Sequence, residues 1–421
     1  MKPLSFMLIA GEASGDTLAV ELVGALREKV VAGSMDSSSD VQPLRTALAP
    51  RFFGAGGSKM AAAGVELAFD LTQHSVIGIS EVFQKYFQFR RLFNQLLKLA
   101  IERQPDVIIG VDYGGFNLRF GKAIKRYVRK HRSQFVPWDP KIVQFVSPQV
   151  WASRPERAQT LADNYDLLLS IFPFEKDWYA RRVPGLRVEF VGHPIIGRSP
   201  KSEVQSLKSA SPATSPLILL LPGSRADELR RHLPVLYDAA TLLKKHIPDL
   251  RAVMVLPDEK LKKMVDMYCL FGIGAQILIQ TGKAVTPSLV SIETRVGGLA
   301  DALMEADLAI TKSGTITMEC AMFGVPSVVF YKTSWPTYLI GKQIINVPFI
   351  AMPNLLAGEE IFPEFIQRAA TPENISRAAL ELLRDNARRQ AVKTKLAQVI
   401  ASLGGPGAAG RAADAVLSLL P

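Results

Sequence analysis

The sequence predicts an α/β protein of two tandem doubly wound, Rossmann-like domains. Three observations carry that prediction. Short β-branched or leucine-rich runs alternate with longer amphipathic stretches along the chain. The runs are apolar on both faces, as strands of a parallel sheet covered by helices must be. The alternation breaks once, over the Ser/Pro/Lys-rich stretch 198–216, and then restarts.

In chain order the predicted strands of the first half are FMLIAG (6–11), RFFGAG (51–56), DVIIGVD (106–112), KIVQFVS (141–147), LLLSIF (167–172) and VEFVGH (188–193). Those of the second half are LILLLPG (217–223), RAVMVLP (251–257), QILIQTG (276–282), DLAITKSG (307–314) and PSVVFY (326–331). Helical patterns fill most gaps. The expected division is an N-terminal domain over 1–198, a second domain over 199–371, and C-terminal helices over 372–421. Those last helices either pack on the N-terminal domain or are exchanged in a dimer. Two segments read as surface insertions: the small, polar 33–50, and 131–140 with its two prolines. Doubly wound sheets bind ligands outside the carboxyl ends of their strands. Two such sheets facing each other predict a cleft between domains.

Composition removes several classes. The 421 residues are 48% hydrophobic and 21% charged, which excludes a disordered chain. Two cysteines exclude a disulfide scaffold and a cysteine-rich zinc site, and the five histidines stand at no metal-ligand spacing, so no metal is expected. The apolar run Phe6 to Ala10 is too short for a secretory leader, and no run is long enough to span a bilayer. The expected location is therefore cytoplasmic, at most on a membrane surface. A formal net charge of +11 favours an anionic partner.

Five places offer chemistry. Gly11-Glu12-Ala13-Ser14-Gly15-Asp16 follows the first strand, where small residues let backbone amides approach an anion; the plain alternative is a turn in which Ser14 or Asp16 caps the helix. Asp112 ends a buried strand, placed to act as general base on a hydroxyl or merely to cap. His193 ends the last strand of the first half, in reach of the same cleft or simply hydrogen-bonded. Leu221-Pro222-Gly223-Ser224-Arg225 opens a helix in the second half; a glycine, a helix start and a guanidinium together suit a phosphate. Lys312-Ser313-Gly314-Thr315 leads into a helix in which Glu319 lies about one turn on, where a carboxylate accepts ribose hydroxyls or simply balances the dipole. Neither loop has the spacing of a dinucleotide fingerprint or a P-loop.

The stretch Ile77 to Ile101 is an amphipathic helix rich in aromatic and basic residues. Its apolar stripe runs through Phe83 and Phe87, Phe89 lies off the stripe, and Lys85, Arg90, Arg91 and Lys98 are interspersed. Core packing with a solvated basic face is one reading; an aromatic, basic end meeting a membrane is the other.

Taken in order, AGEASGD (10–16), FFGAGGSKMAAAGVEL (52–67), VIGISEV (76–82), PDVIIGVDYGGFNL (105–118), VSPQVWASR (146–154), PFEKDWY (173–179), FVGHP (190–194), LLPGSR (220–225), SGTITMEC (313–320) and PNLLAGE (353–359) resemble the lipid-A-disaccharide synthase family over nearly the whole chain. The resemblance implies a GT-B-type fold and transfer of diacylglucosamine from UDP to the 6-hydroxyl of diacylglucosamine 1-phosphate (lipid X). It implies Asp112 as general base. It places Ser224, Arg225, Ser313, Gly314, Thr315, Glu319 and Asn354 on the UDP donor, and Glu12, Ser14 and Gly15 in the loop lining the cleft. It further implies no cofactor and no metal, dimers with exchanged C-terminal elements, and work at the cytoplasmic face of the inner membrane of a Gram-negative cell. Phe83, Phe87, Phe89, Arg90 and Arg91 are the expected membrane contact. Two positions depart from the family pattern: Gly115 replaces a second acidic residue after the catalytic Asp, and Ser153 replaces a second Trp. Competing readings are another UDP-sugar enzyme of the same fold, a peptidoglycan N-acetylglucosaminyltransferase or an epimerase. A basic nucleic-acid-binding protein is less favoured, because no zinc-finger, RNP-type or helix-turn-helix signature occurs.

Overall fold

The computed structural model describes residues 3–36, 49–72, 82–133, 137–197, 215–269 and 291–420, with side chains 33–36 and 82–86 excepted. The predicted strand at 276–282, most of the insertion at 33–50 and the stretch 198–214 lie outside the described residues.

The apolar runs become buried parallel strands. β1 (Ser5–Ala10), β2 (Arg51–Gly56), β3 (Glu66–Asp70), β4 (Val107–Val111), β5 (Lys141–Phe145), β6 (Leu167–Ser170) and β7 (Val188–Phe190) form one sheet in the order β3-β2-β1-β4-β5-β6-β7. β8 (Leu217–Leu221), β9 (Arg251–Leu256), β10 (Glu293–Val296), β11 (Leu308–Lys312), β12 (Ser327–Tyr331) and β13 (Glu364–Ile366) form the other, in the order β10-β9-β8-β11-β12-β13. Every described pairing is parallel. The polypeptide therefore returns through helices, which bury both faces of each sheet.

In each sheet the strand order reverses once, between β1 and β4 and between β8 and β11. Connections leave these neighbours in opposite directions, and a crevice opens at their carboxyl ends. The register levels those ends: Ala10 pairs with Val111, Val111 with Phe145, and Leu221 with Thr311.

Contacts divide the chain into residues 1–197 with 403–421, and residues 198–402. The division falls inside the segment that the sequence treats as one C-terminal group. Helix Pro372–Arg384 buries Ile375, Ala379 and Leu382 in the second core, and helix Asn386–Ser402 adds Val392, Leu396 and Val399 to it. Helix Ala408–Leu417 packs instead on helix Ala13–Asp36 of the first unit. There Lys29 pairs with Asp414 at 2.7 Å, and Arg411 Nε donates to the Val191 carbonyl at 2.8 Å. Among the described residues no helix is long and apolar enough to cross a membrane.

Candidate active site

In the first unit, β4 runs straight into two consecutive residues with left-handed backbone, Asp112 (φ 53) and Tyr113 (φ 46). Such a conformation costs roughly 1–2 kcal/mol per non-glycine residue and persists only where neighbours enforce it. The enforcers are two buried amides. Asn117 Nδ2 and Gln144 Nε2 both donate to the Asp112 carbonyl, at 2.8 and 2.9 Å. Their own oxygens are buried without a partner. Turning either amide over would set oxygen against that carbonyl, so both hold the Asp112 backbone and leave an acceptor unpaired. The Asp112 amide donates to the Phe145 carbonyl at 2.8 Å, tying the turn to β5 as well.

The Asp112 side chain therefore has a fixed direction. Ser14 Oγ donates to its Oδ2 at 3.4 Å, and the Tyr113 amide also bonds it. Burial nevertheless outweighs both bonds and lifts the carboxyl above the ordinary range. A carboxylate with a raised pKa is a better proton acceptor for a hydroxyl. Tyr113 lays its ring over Gly11, where any Cβ would collide with it. The Tyr113 hydroxyl is itself raised, by burial and then by the charge of Glu12. Gly15 packs beneath the Val111 carbonyl. Glu12, Ser14 and Gly15 thus lie close to the Asp112 turn. Asp16 does something else: its carboxylate accepts the amides of Gly57, Lys59 and Met60 at 2.7, 3.1 and 3.3 Å, holding the start of helix Ser58–Ala62 rather than capping its own.

Behind Asp112 lies a buried polar group that sequence reasoning missed. Glu175 is fully buried; its Oε1 accepts Trp151 Nε1 at 2.9 Å and its Oε2 accepts the Phe172 amide at 3.3 Å. Burial pushes its carboxyl up to about 7, against hydrogen bonds from Trp151 and Ser147. Ser147 in turn meets Tyr179 at 3.0 Å. This group anchors the loop after β5, whose Pro148 lies directly against Gly114. His193 stands at its edge, with its ring 5.5 Å from that of Phe172.

In the second unit the switch point presents an exposed arginine. β8 ends in Pro222 and Gly223 (φ 123), then Ser224 and Arg225 are exposed ahead of helix Ala226–His246. The Arg225 guanidinium makes no hydrogen bond or ion pair with the described residues. Glu228 folds back under the loop: its Oε2 accepts the Ser224 amide at 3.2 Å, and its Oε1 pairs at 3.3 Å with Lys312 from the end of β11. A Cβ at position 223 would strike that carboxylate. His232 locks the loop from below. Its ring Nδ1 lies 2.6 Å from the Pro222 carbonyl, and its Nε2 accepts the Lys332 amide at 3.3 Å. Burial lowers the His232 pKa, which keeps the ring neutral for that pair of roles.

Across the crevice, Ser313 donates to the Ile350 carbonyl at 2.8 Å, Thr317 donates to the Gly314 carbonyl at 2.7 Å, and Thr315 is exposed. Glu319 is half-buried in the first turn of helix Ile316–Met322. Ser224, Arg225, Ser313, Gly314, Thr315 and Glu319 therefore flank one switch point. Asn354 does not join them, which corrects its expected place on the donor. It is fully buried, and its amide is saturated internally: Nδ2 donates to the Phe362 carbonyl and Glu364, both at 2.8 Å, and Oδ1 accepts the amides of Ile361 and Phe362, both at 2.9 Å. It shapes the turn before β13.

The aromatic helix is Val82–Arg103. Phe87 is 67% exposed although it lies on the apolar stripe, with Arg90 and Arg91 exposed beside it. Phe89 is half-buried, and the Phe83 side chain lies outside the described residues. Further along, Phe93 meets Phe116 and Phe120 edge-on at 5.4 and 5.6 Å, and Phe116 stacks on Tyr113 at 5.7 Å. Packed aromatic rings thus connect this helix to the Asp112 turn.

A family model described as lipid-A-disaccharide synthetase matches residues 6–416. The lipid-A-disaccharide synthase of Myxococcus xanthus is 35% identical over 423 residues, covering 100% of this chain and 98% of that protein. That of Geobacter sulfurreducens is 34% identical over 417 residues, covering 98% and 97%. Among solved structures, the chain is similar to Staphylococcus aureus MnaA, solved with UDP, at a TM-score of 0.57 with 14% identity, covering 100% of this chain and 97% of that one. It is also similar to Acinetobacter baumannii MurG at 0.52, again with 14% identity, covering 99% and 100%. The two structural likenesses bear on the fold, which is of the two-domain GT-B type.

Proposed function

Since the chain belongs to the lipid-A-disaccharide synthase family, glycosyltransferases that form the lipid A disaccharide, we propose that its two switch points divide the work of that transfer. The observation that carries the reading is positional. In each sheet, the side chains suited to the chemistry fall at the carboxyl ends of the two strands where the order reverses.

The acceptor is diacylglucosamine 1-phosphate and the donor UDP-diacylglucosamine. Asp112 takes the proton of the acceptor's 6-hydroxyl as that oxygen attacks the donor's anomeric carbon. The new C–O bond forms as the bond to the UDP oxygen breaks, and the proton later passes from Asp112 to water. Ser14 and the Tyr113 amide hold the carboxylate in line. The departing diphosphate takes up negative charge, and Arg225 supplies a guanidinium for it, with the Ser224 and Thr315 hydroxyls as further donors. Glu319 accepts the ribose hydroxyls. Lys312, held by Glu228, adds positive potential beneath the loop.

The same reading needs no divalent ion. The sequence has no DxD pair, and cationic side chains already stand at the proposed diphosphate position. Because both substrates carry acyl chains, the enzyme works at the cytoplasmic face of the inner membrane, with Phe87, Arg90 and Arg91 meeting the bilayer. Homodimers complete the proposal: helix Ala408–Leu417, here seated on helix Ala13–Asp36, is the element exchanged between copies. The direct test is incubation with UDP-diacylglucosamine and lipid X, with mass detection of the disaccharide monophosphate and UDP. Absence of the disaccharide with these acylated substrates, together with turnover of an unacylated UDP-sugar, would refute the assignment.

A further inference from the structure

One helix of the second unit is built unlike the rest. Helix Trp335–Ile344 has no buried residue. Trp335, Leu339 and Ile340 are 47%, 56% and 58% exposed, and Ile345 just beyond is 46% exposed. Scattered exposed apolar residues need no explanation, but four on one short segment do.

The segment is not loosely attached. Its root is pinned three times: His232 accepts the Lys332 amide, Gln367 brackets Thr333 with bonds of 3.0 and 2.8 Å to its amide and carbonyl, and Ser334 caps the helix through the Thr337 amide at 3.4 Å. Gln367 adopts left-handed backbone (φ 54) to do so. The fold thus spends buried polar groups on projecting an apolar helix into solvent.

Its charge is one-sided. Residues 332–358 contain Lys332 and Lys342 and no Asp or Glu. Arg368 lies over the Trp335 ring at 5.0 Å, and Tyr338 meets that ring edge-on at 5.7 Å. An indole with an adjacent cation, aliphatic side chains and flanking lysines is the composition of a segment lying in a membrane interface. His232, which holds the root, also holds Pro222 of the Arg225 loop.

We propose that helix Trp335–Ile344 is a second membrane-docking surface, seated on an anionic bilayer with Trp335, Leu339, Ile340 and Ile345 in the headgroup–acyl boundary. The occupant is a bilayer rather than another protein because the segment is apolar and the only charged residues within 332–358 are lysines. This rests on the reading of the chain as an enzyme of lipid substrates, and it adds a contact on the donor unit to the one expected near Phe87.

The test uses the full chain and substrate-free vesicles of phosphatidylcholine with and without phosphatidylglycerol. Tryptophan emission should be quenched by brominated acyl chains in the anionic vesicles, and Trp335→Phe should remove most of that quenching. Leu339→Ser/Ile340→Ser should lower the vesicle partition coefficient by about tenfold or more, since each side chain contributes on that scale when buried. The thermal melt should move little, because both side chains are mostly exposed in the fold. Unchanged partition with unchanged quenching overturns the proposal. So does loss of a dimer in sedimentation with partition intact, which assigns the face to a second copy. Disaccharide synthesis is assayed separately with detergent-dispersed substrates. If wild-type protein makes the disaccharide but docks independently of this helix, only the docking fails; if it docks through the helix but makes no disaccharide, only the enzymatic reading fails.

Discussion

Where β4 ends, a carboxylate is drawn out of water on strained backbone, and two amides leave oxygens unpaired to keep it there. Where β8 and β11 end, the positive backbone angles fall on glycines, Gly223 and Gly314, a Lys–Glu pair lies under the loop, and the arginine above it is left exposed. The topology at the two places is the same. A proton acceptor needs a fixed direction and a raised pKa, which burial supplies. An anion subsite needs unspent positive charge, which exposure preserves. On the proposed reading, two sheets with the same strand-order reversal become unequal sites through what their turns bury.

The largest test of that contrast is Asp112→Asn. It keeps shape and removes the base, so kcat should fall about 10²–10⁴-fold while UDP affinity holds. Turnover near wild type in a folded variant would place the base elsewhere. Next comes Arg225→Ala, which should weaken UDP binding by roughly 1.5–3 kcal/mol, the scale of a charge-assisted bond. Calorimetric titration with UDP reads this directly, and equal affinity would show that the cationic side of the comparison is misassigned.

Glu175 extends the first half of the comparison to stability. Its folded-state pKa is raised to about 7 from the ordinary carboxyl value of 4.5. Between those values the folded protein keeps a proton that the unfolded chain has lost. Its contribution is therefore complete below the ordinary value and is lost as pH rises through about 7. Glu175→Gln keeps the Trp151 bond and cannot ionise. Its stability relative to wild type should improve by about 2.5 kcal/mol between pH 5 and pH 8. Urea unfolding curves that stay parallel across that range would count against an ionisable role. The smallest expected effect is that of chelator: with Arg225 and Lys312 supplying the positive charge, EDTA should leave the rate unchanged. Loss of activity restored by magnesium would reverse that assignment.

Much of this was legible in the residues. The runs at β1, β4, β5, β8 and β11 are apolar on both faces, and a run like LILLL has few other places to go. Their order also put Asp112 and Arg225 at the ends of such strands, the places where doubly wound sheets bind ligands. The strands β3 (ELAFD), β10 (ETRV) and β13 (EFI) carry no such run. They sit at sheet edges, where pairing with one neighbour fixes the backbone whatever the side chains prefer. The partners of Asp112 were hidden for a different reason. Gln144 is a polar residue inside a buried strand, a visible oddity, but the carbonyl it serves is 32 residues away. Asn354 was misplaced because a motif shows which residue is present and not whether its amide is already saturated.

The path of the chain has a consequence for synthesis. Helix Ala13–Asp36 is made well before the helix that packs on it, Ala408–Leu417. Between them the ribosome delivers the whole of the second sheet with its helices. The second unit has all of its sequence by Ser402 and is free to fold on emergence, while the first waits with one flank uncovered. The second unit can therefore fold before the first is complete, and the first closes when Asp414 reaches Lys29 and Arg411 reaches the Val191 carbonyl, 220 residues earlier in the chain.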